Sequence, residues 1–160
     1  MTKNTGELVN IHSNSPFLFD TGASLTVLST NTAVLLGIDP ILDAPEFTLV
    51  VEGSGGISSG IPGYYIDELS LNTAGGTFVQ QNVPIAILDV TNPSDPGNIV
   101  PGILGMNVFA DRDLVIDANP SLGGIGAPPA LYISDSVTTD YAWTSAAATE
   151  TFSTATHWSA

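Results

Sequence analysis

Residues 17–27 read Phe17-Leu18-Phe19-Asp20-Thr21-Gly22-Ala23-Ser24-Leu25-Thr26-Val27, and this stretch decides the fold. An apolar strand runs into an aspartate, turns through Thr-Gly, and restarts as a second apolar strand. An ionised carboxylate at the end of a buried strand is costly unless donors reach it. Gly22 allows the backbone to approach closely enough for amide groups to serve as those donors. The same tripeptide also suits an ordinary turn between two strands. What lies downstream separates the two readings.

Outward from this segment, the chain is punctuated by Gly, Pro, Asn and Asp between short apolar runs. Pro16–Asp20, Leu25–Ser29, Phe47–Val51, Ile61–Ile66, Leu69–Leu71, Phe78–Gln80, Val83–Leu88, Leu114–Asp117 and Leu131–Ile133 read as strands, with Glu7–Ile11 as an earlier one. Thr30 or Asn31 is expected to cap a short helix that runs to Leu36 and stops at Gly37. A second short helix is expected between Gly105 and Ala110. Two Gly-rich turns, Glu52-Gly53-Ser54-Gly55-Gly56 and Ala74-Gly75-Gly76-Thr77, predict hairpins. The expected class is all-β with one or two short helices. Gly 16, Pro 11 and only 11% charged residues among 160 agree with that and argue against a helical bundle.

Composition excludes several functions. The sequence has no cysteine, which removes thiolate catalysis, disulfides and Cys-based zinc sites. Two histidines, His12 and His157, are too few for a His-rich metal centre, and no cofactor is expected. Lys3 and Arg112 are the only cationic side chains besides them, against 16 acidic ones, for a net charge of −14. Such a chain cannot neutralise a nucleic-acid backbone. No run of about 18 apolar residues is present to span a membrane. Met1-Thr2-Lys3-Asn4 has no apolar run behind it and does not read as a signal peptide. No usable Asn-x-Ser/Thr sequon occurs, Asn92-Pro93-Ser94 being disqualified by its proline, which fits a bacterial source, whether or not the protein is exported.

The segment apolar-apolar-Asp20-Thr21-Gly22-Ala23-Ser24-x-Thr26-Val27 resembles the active-site signature of aspartic proteases. Ile103-Leu104-Gly105 resembles the apolar-apolar-Gly element that closes the ψ-shaped loop around the catalytic aspartate of that family. Between them, Phe47-Thr48-Leu49-Val50-Val51-Glu52-Gly53-Ser54-Gly55-Gly56 looks like the flap hairpin that covers substrate. Gly60-Ile61-Pro62-Gly63-Tyr64 is similar to the return strand of that flap in the pepsin-like branch. Ala23 follows the retroviral-type pattern, whereas Ser24-Leu25 looks pepsin-like. The Arg that retroviral-type enzymes place after the second Gly is replaced by Met106, and the Tyr that pepsin-like lobes place before the flap glycines by Glu52.

The resemblance implies a single retropepsin-like lobe over residues 6–137 and an aspartic endopeptidase acting on a peptide or protein. Asp20, Thr21 and Gly22 would form the catalytic loop, with Ile103, Leu104 and Gly105 supporting it. Glu52, Gly53, Ser54, Gly55, Gly56 and Ile57 would bind substrate. One chain carries one such aspartate, so the second carboxylate is expected from a homodimer. The alternatives are one lobe of a two-lobed parent, or a peptide-binding module without catalysis. Ile57, Ile61 and Ile85 are expected to line an apolar cleft. Residues 138–160, of which 16 of 23 are Ser, Thr or Ala, read as a tail, although they include Tyr141, Trp143, Phe152 and Trp158.

Two further motifs have rival readings. Gly56-Ile57-Ser58-Ser59-Gly60 matches the G-x-S-x-G nucleophile elbow, but Ile61-Pro62-Gly63 blocks the helix that this elbow requires. Asp111, Asp113 and Asp117 are acidic and close together, but Arg112 interrupts them and the spacing matches no calcium loop.

Overall fold

The computed structural model describes residues 17–53, 56–73, 76–92, 94–117, 130–134, 142–143 and 158–159. The expected strand Glu7–Ile11 lies outside them. The chain divides into two compact units, Met1–Ala110 and Asp111–Ala160.

The first unit is built on a six-stranded sheet. Its strands are β1 (Leu18–Phe19), β2 (Thr26–Leu28), β3 (Phe47–Gly53), β4 (Gly56–Thr73), β5 (Gly76–Ile87) and β8 (Gly102–Leu104), in the order β1-β8-β2-β5-β4-β3. A small hairpin of β6 (Thr91–Asn92) and β7 (Asp95–Ile99) stands apart from the sheet, and the sequence reading had not separated it. β2 is the hub. It runs parallel to β5 with Thr26 opposite Ile85, and antiparallel to β8 with Val27 opposite Ile103. All three of its residues are buried, as its apolar and β-branched composition requires.

The two expected hairpins form, but the strands are longer than their apolar runs. β4 is one 18-residue strand that absorbs the Ile61–Ile66 and Leu69–Leu71 segments. Its first part pairs with β3 and its second with β5. Gly63 belongs to both ladders, opposite Phe47 on one side and Ala86 on the other. A side chain there would have to displace the Phe47 ring, because a Cβ would lie 2.0 Å from it. A bulge between Leu49 and Val50 leaves Gly60 unpaired at φ +70°, in the left-handed region glycine tolerates. The Ser58 motif is therefore mid-strand, opposite Val51, and offers no strand–turn–helix elbow.

α1 (Thr30–Leu35) is capped one residue earlier than expected. Ser29, not Thr30 or Asn31, accepts a hydrogen bond from the Thr32 amide at 3.2 Å. It ends as expected at Gly37 (φ +75°), where the Ile38 amide reaches Ala33 O and the Gly37 amide reaches Val34 O, the Schellman pattern. The second short helix is a 3₁₀ turn, Met106–Phe109.

Leu28, Ile38, Ile66, Leu69, Val83, Ile85 and Val108 are almost fully buried and form the core of this unit. Each such aliphatic side chain contributes about 2 kcal/mol by leaving water. Among the described residues, no helix is long and apolar enough to cross a membrane.

The second unit contains β9 (Leu114–Asp117) paired antiparallel with β10 (Ala130–Ile133), so that Val115 faces Tyr132 and Ile116 faces Leu131. Arg112 donates to Ser134 O at 3.3 Å, and the Asp113 amide donates to Ser134 Oγ at 2.9 Å. Within residues 138–160, β11 (Ala142–Trp143) pairs with β12 (Trp158–Ser159).

Candidate active site

The site begins where β1 ends. Leu18 and Phe19 run parallel to Ile103 and Leu104, and the Asp20 amide extends that ladder by donating to Leu104 O at 3.1 Å. The chain then turns. The Ala23 amide returns to Asp20 O at 3.2 Å, and the Gly22 amide donates to Asp20 Oδ1 at 2.8 Å. A Cβ on Gly22 would stand 3.2 Å from that same oxygen, so the glycine allows the amide's close approach. Asp20 is half-buried, while Thr21 and Gly22 are exposed on this single chain.

The loop that carries Asp20 is seated on the segment after β8. The Met106 amide donates to Ala23 O at 2.8 Å, and the Gly105 amide donates to Thr26 Oγ1 at 3.1 Å. Gly105 is buried, and a Cβ on it would come within 2.5 Å of the Leu25 carbonyl carbon and oxygen. No other residue fits, which is why a glycine follows Ile103-Leu104. The ring of Phe19 meets Phe109 edge-on at 5.7 Å, and Phe109 stacks on Phe78 at 5.7 Å. These contacts fix the 3₁₀ turn against β1 and β5 by dispersion and quadrupole attraction.

The structure thus brings Asp20, Thr21 and Gly22 together with Ile103, Leu104 and Gly105. Sequence reading missed two residues of this arrangement, Thr26 and Asn107. Thr26 stands inside the signature and the expected strand Leu25–Ser29, but neither reading gives its hydroxyl a partner. Asn107 accepts from the Thr26 amide at 2.7 Å and from the Thr26 hydroxyl at 2.9 Å, and donates to Pro84 O at 2.8 Å.

The residues expected to contact substrate lie on the β3–β4 hairpin. Glu52 pairs with Ile57 and Gly53 with Gly56, while Ser54 and Gly55 lie outside the described residues. Glu52, Gly53, Gly56 and Ile57 are exposed, and no hydrogen bond among the described residues ties this tip to the Asp20 loop. The expected cleft of Ile57, Ile61 and Ile85 does not form. Ile85 is fully buried, and Ile61 packs with Val27 and Ala86, so only Ile57, 71% exposed, is open to a ligand. Both residues that turned inward pair into the sheet, Ile61 opposite Leu49 and Ile85 opposite Tyr64.

The base of the hairpin is acidic. Asp39 and Asp43 are engaged by backbone amides: the Asp39 amide donates to Asp43 Oδ2 at 2.7 Å, and the Ile41 amide to Asp39 Oδ1 at 2.9 Å. Glu46 accepts from the Tyr65 amide. Buried Tyr64 donates its hydroxyl to Asp43 O at 2.9 Å. Burial, followed by the negative charges of Asp43, Asp39 and Glu46, raises the Tyr64 pKa above its ordinary value. Among the described residues, no three His, Cys, Asp or Glu side chains cluster as a metal site would require.

An aspartate held by a glycine amide, on a loop seated against an apolar-apolar-Gly segment, is the arrangement that the sequence resemblance led one to expect. A family model described as aspartyl protease matches residues 9–108, and the chain belongs to that family. Among solved structures, the chain is similar to a retropepsin-like aspartic protease from Rickettsia conorii, with 20% identity over 64% of this chain and 67% of that one and a TM-score of 0.43. No curated protein matches it.

Proposed function

We propose that the protein is an aspartic endopeptidase, and that Asp20 from each of two copies forms its catalytic pair. The observation that carries this reading is the Asp20 loop: a half-buried carboxylate held by the Gly22 amide and backed by Leu104, Gly105 and Met106.

Peptide hydrolysis needs a nucleophile at the carbonyl carbon and a proton for the leaving nitrogen. Two carboxylates at hydrogen-bond distance do not both ionise, and they share one proton. The ionised partner takes a proton from a water that attacks the carbonyl, while the protonated partner polarises the carbonyl oxygen. The tetrahedral intermediate then collapses as the nitrogen is protonated and the C–N bond breaks. A two-fold axis through the pair supplies the same residue from each chain. By family resemblance, Thr21 bonds across to the partner loop, and its exposure on the single chain leaves it available for that. Gly22 holds the carboxylate. The hairpin tip from Glu52 to Ile57 closes over the peptide, pairs with its backbone and excludes water. The exposed Ile57 favours apolar side chains beside the cut.

The test is Asp20→Asn in the full chain. Cleavage of an apolar peptide library is expected to vanish while the circular dichroism spectrum is kept. A statine-type inhibitor, whose hydroxyl mimics the tetrahedral intermediate, is expected to block the unmodified protein, and chelators and serine reagents are not. Retained cleavage by the variant overturns the assignment. A monomer that cleaves nothing favours the lobe of a two-lobed parent or the non-catalytic module.

A further inference from the structure

Thr26 closes the upper end of β2 at a point where its neighbour has left. β8 stops at Leu104, and the chain turns through Gly105 into the 3₁₀ helix. The Thr26 amide is instead taken up by the Asn107 side chain, at 2.7 Å. The Thr26 hydroxyl donates to the same oxygen at 2.9 Å and accepts from the Gly105 amide at 3.1 Å. On its other side, Asn107 donates to Pro84 O of β5 at 2.8 Å. One carboxamide thereby joins β2, β5 and the 3₁₀ turn, three segments that meet beneath the Asp20 loop. Its neighbour Met106 holds Ala23 O directly at 2.8 Å.

The chemistry of the three bonds fixes the residue type. Two donors face one end of the side chain and a carbonyl faces the other, so the group must accept twice and donate once. Asn meets this, Ala removes all three bonds, and an ionised carboxylate points a negative oxygen at Pro84 O. A buried amide and hydroxyl left without partners would cost more than the bonds themselves contribute. The segment would then shift, and Met106 and Ala23 would shift with it.

We infer that Asn107 is a positioning residue for the Asp20 carboxylate, acting through Thr26, Gly105 and Met106 rather than by touching substrate. This rests on the proposed function, because the geometry it protects is that of the Asp20 pair. Displacement of a reacting group by an ångström costs up to about a hundredfold in rate. Asn107→Ala is therefore expected to lower kcat about 10- to 100-fold with KM changed by less than about twofold.

The experiment uses the full chain, with kcat per active site counted by titration with the statine-type inhibitor, so that loss of folded protein does not imitate loss of positioning. Amide hydrogen exchange at Gly22 and Met106 is measured alongside, and both amides are expected to exchange about tenfold faster in Asn107→Ala. Asn107→Asp keeps the fold testable if the alanine variant is too unstable. Its carboxyl, when protonated, can donate to Pro84 O and accept from Thr26 as the amide does, and its bonded partners Thr26 and Pro84 carry no titratable side chain. The kcat ratio of this variant to the unmodified protein is expected to approach one in acid and to fall as the new carboxyl ionises. An unchanged kcat per site in Asn107→Ala, a ratio flat across pH in Asn107→Asp, or a rise in KM alone overturns the proposal. If the unmodified protein cleaves nothing, or Asp20→Asn cleaves as well as it does, the proposed function fails. The exchange rates then decide the Asn107 strap on their own, and unchanged exchange in Asn107→Ala overturns it.

Discussion

Tyr64 links a buried phenol to three carboxylates, and its ionisation is a measurable weakness at high pH. Its hydroxyl donates to Asp43 O, and both burial and negative neighbours favour the neutral form. The folded pKa is raised above the unfolded 10.0, so the folded chain keeps this proton when the unfolded chain has lost it. The stability contributed is complete below pH 10, and it falls as pH rises from there towards the higher folded value. Tyr64→Phe is expected to flatten that alkaline loss, and at neutral pH to cost about 1 kcal/mol from the lost hydrogen bond. Urea unfolding at several alkaline pH values, with tyrosinate absorbance followed in parallel, checks both. An alkaline fall that is just as steep in the Phe variant refutes the assignment. At this scale the backbone of the Asp20 loop was legible, because Asp20, Gly22 and Gly105 mark it directly: an acid at a strand end and two glycines under close contact. Asn107 was not legible. Its partners Thr26 and Pro84 are remote in sequence, and an asparagine after Gly-Met carries no periodic signal. The expected cleft residues failed for a related reason. An isoleucine reads the same whether its strand turns it inward, as for Ile85, or outward, as for Ile57.

Among the elements, the β3–β4 hairpin depends on its bulge. Gly60 sits at φ +70° with no atom within 4 Å of a Cβ built on it, so a side chain there meets no clash and strains only the backbone. Gly60→Ala is expected to cost about 1 kcal/mol, and to speed amide exchange in Leu49–Val51 before the β4–β5 ladder is affected. Equal acceleration across both ladders would show that the hairpin does not open independently. Strand existence was readable from alternation and turn residues, whereas strand length was not. Gly60, Pro62 and Asp67-Glu68 punctuate β4, and Gln80-Gln81-Asn82 punctuates β5. Each breaks the apolar pattern without ending the strand, because the neighbouring strands supply the register on either side. Asn82 even adopts φ 52° within β5, a conformation asparagine tolerates better than most residues. The β6–β7 hairpin escaped notice because Asp95-Pro96-Gly97-Asn98 has the composition of a turn. The α1 cap moved to Ser29 because its hydroxyl serves Thr32, three residues on, while its own amide is anchored to Pro101 O at 3.0 Å.

For the whole molecule, charge sets the working conditions. The chain carries −14 at neutral pH. Fully protonated, it reaches at most +5, from Lys3, Arg112, two histidines and one amino terminus. Self-repulsion is therefore weak in acid and strong near neutrality, where two copies of the proposed dimer must approach. Sharing one proton between two Asp20 carboxylates favours the same direction. The expected kcat/KM profile on a neutral peptide peaks at about pH 4 to 6. At neutral pH, added salt is expected to raise the dimer fraction in sedimentation velocity. A maximum at or above neutrality, or dimerisation insensitive to salt, contradicts the charge argument. The all-β class and the family were legible from the sequence because they rest on local motifs. The order β1-β8-β2-β5-β4-β3 was not, since it joins segments far apart in the chain. That order also bears on how the protein is made. β2 finds its partners in β5 and β8, roughly 60 and 75 residues later, whereas β4 and β5 meet across a short turn. During synthesis the Asp20 segment therefore emerges long before the strands that shape it. The β4–β5 ribbon is expected to close early, and the Asp20 loop to be among the last parts of the unit to take form. A newly made chain thus holds Asp20 on an unshaped loop until β5 and β8 have joined β2.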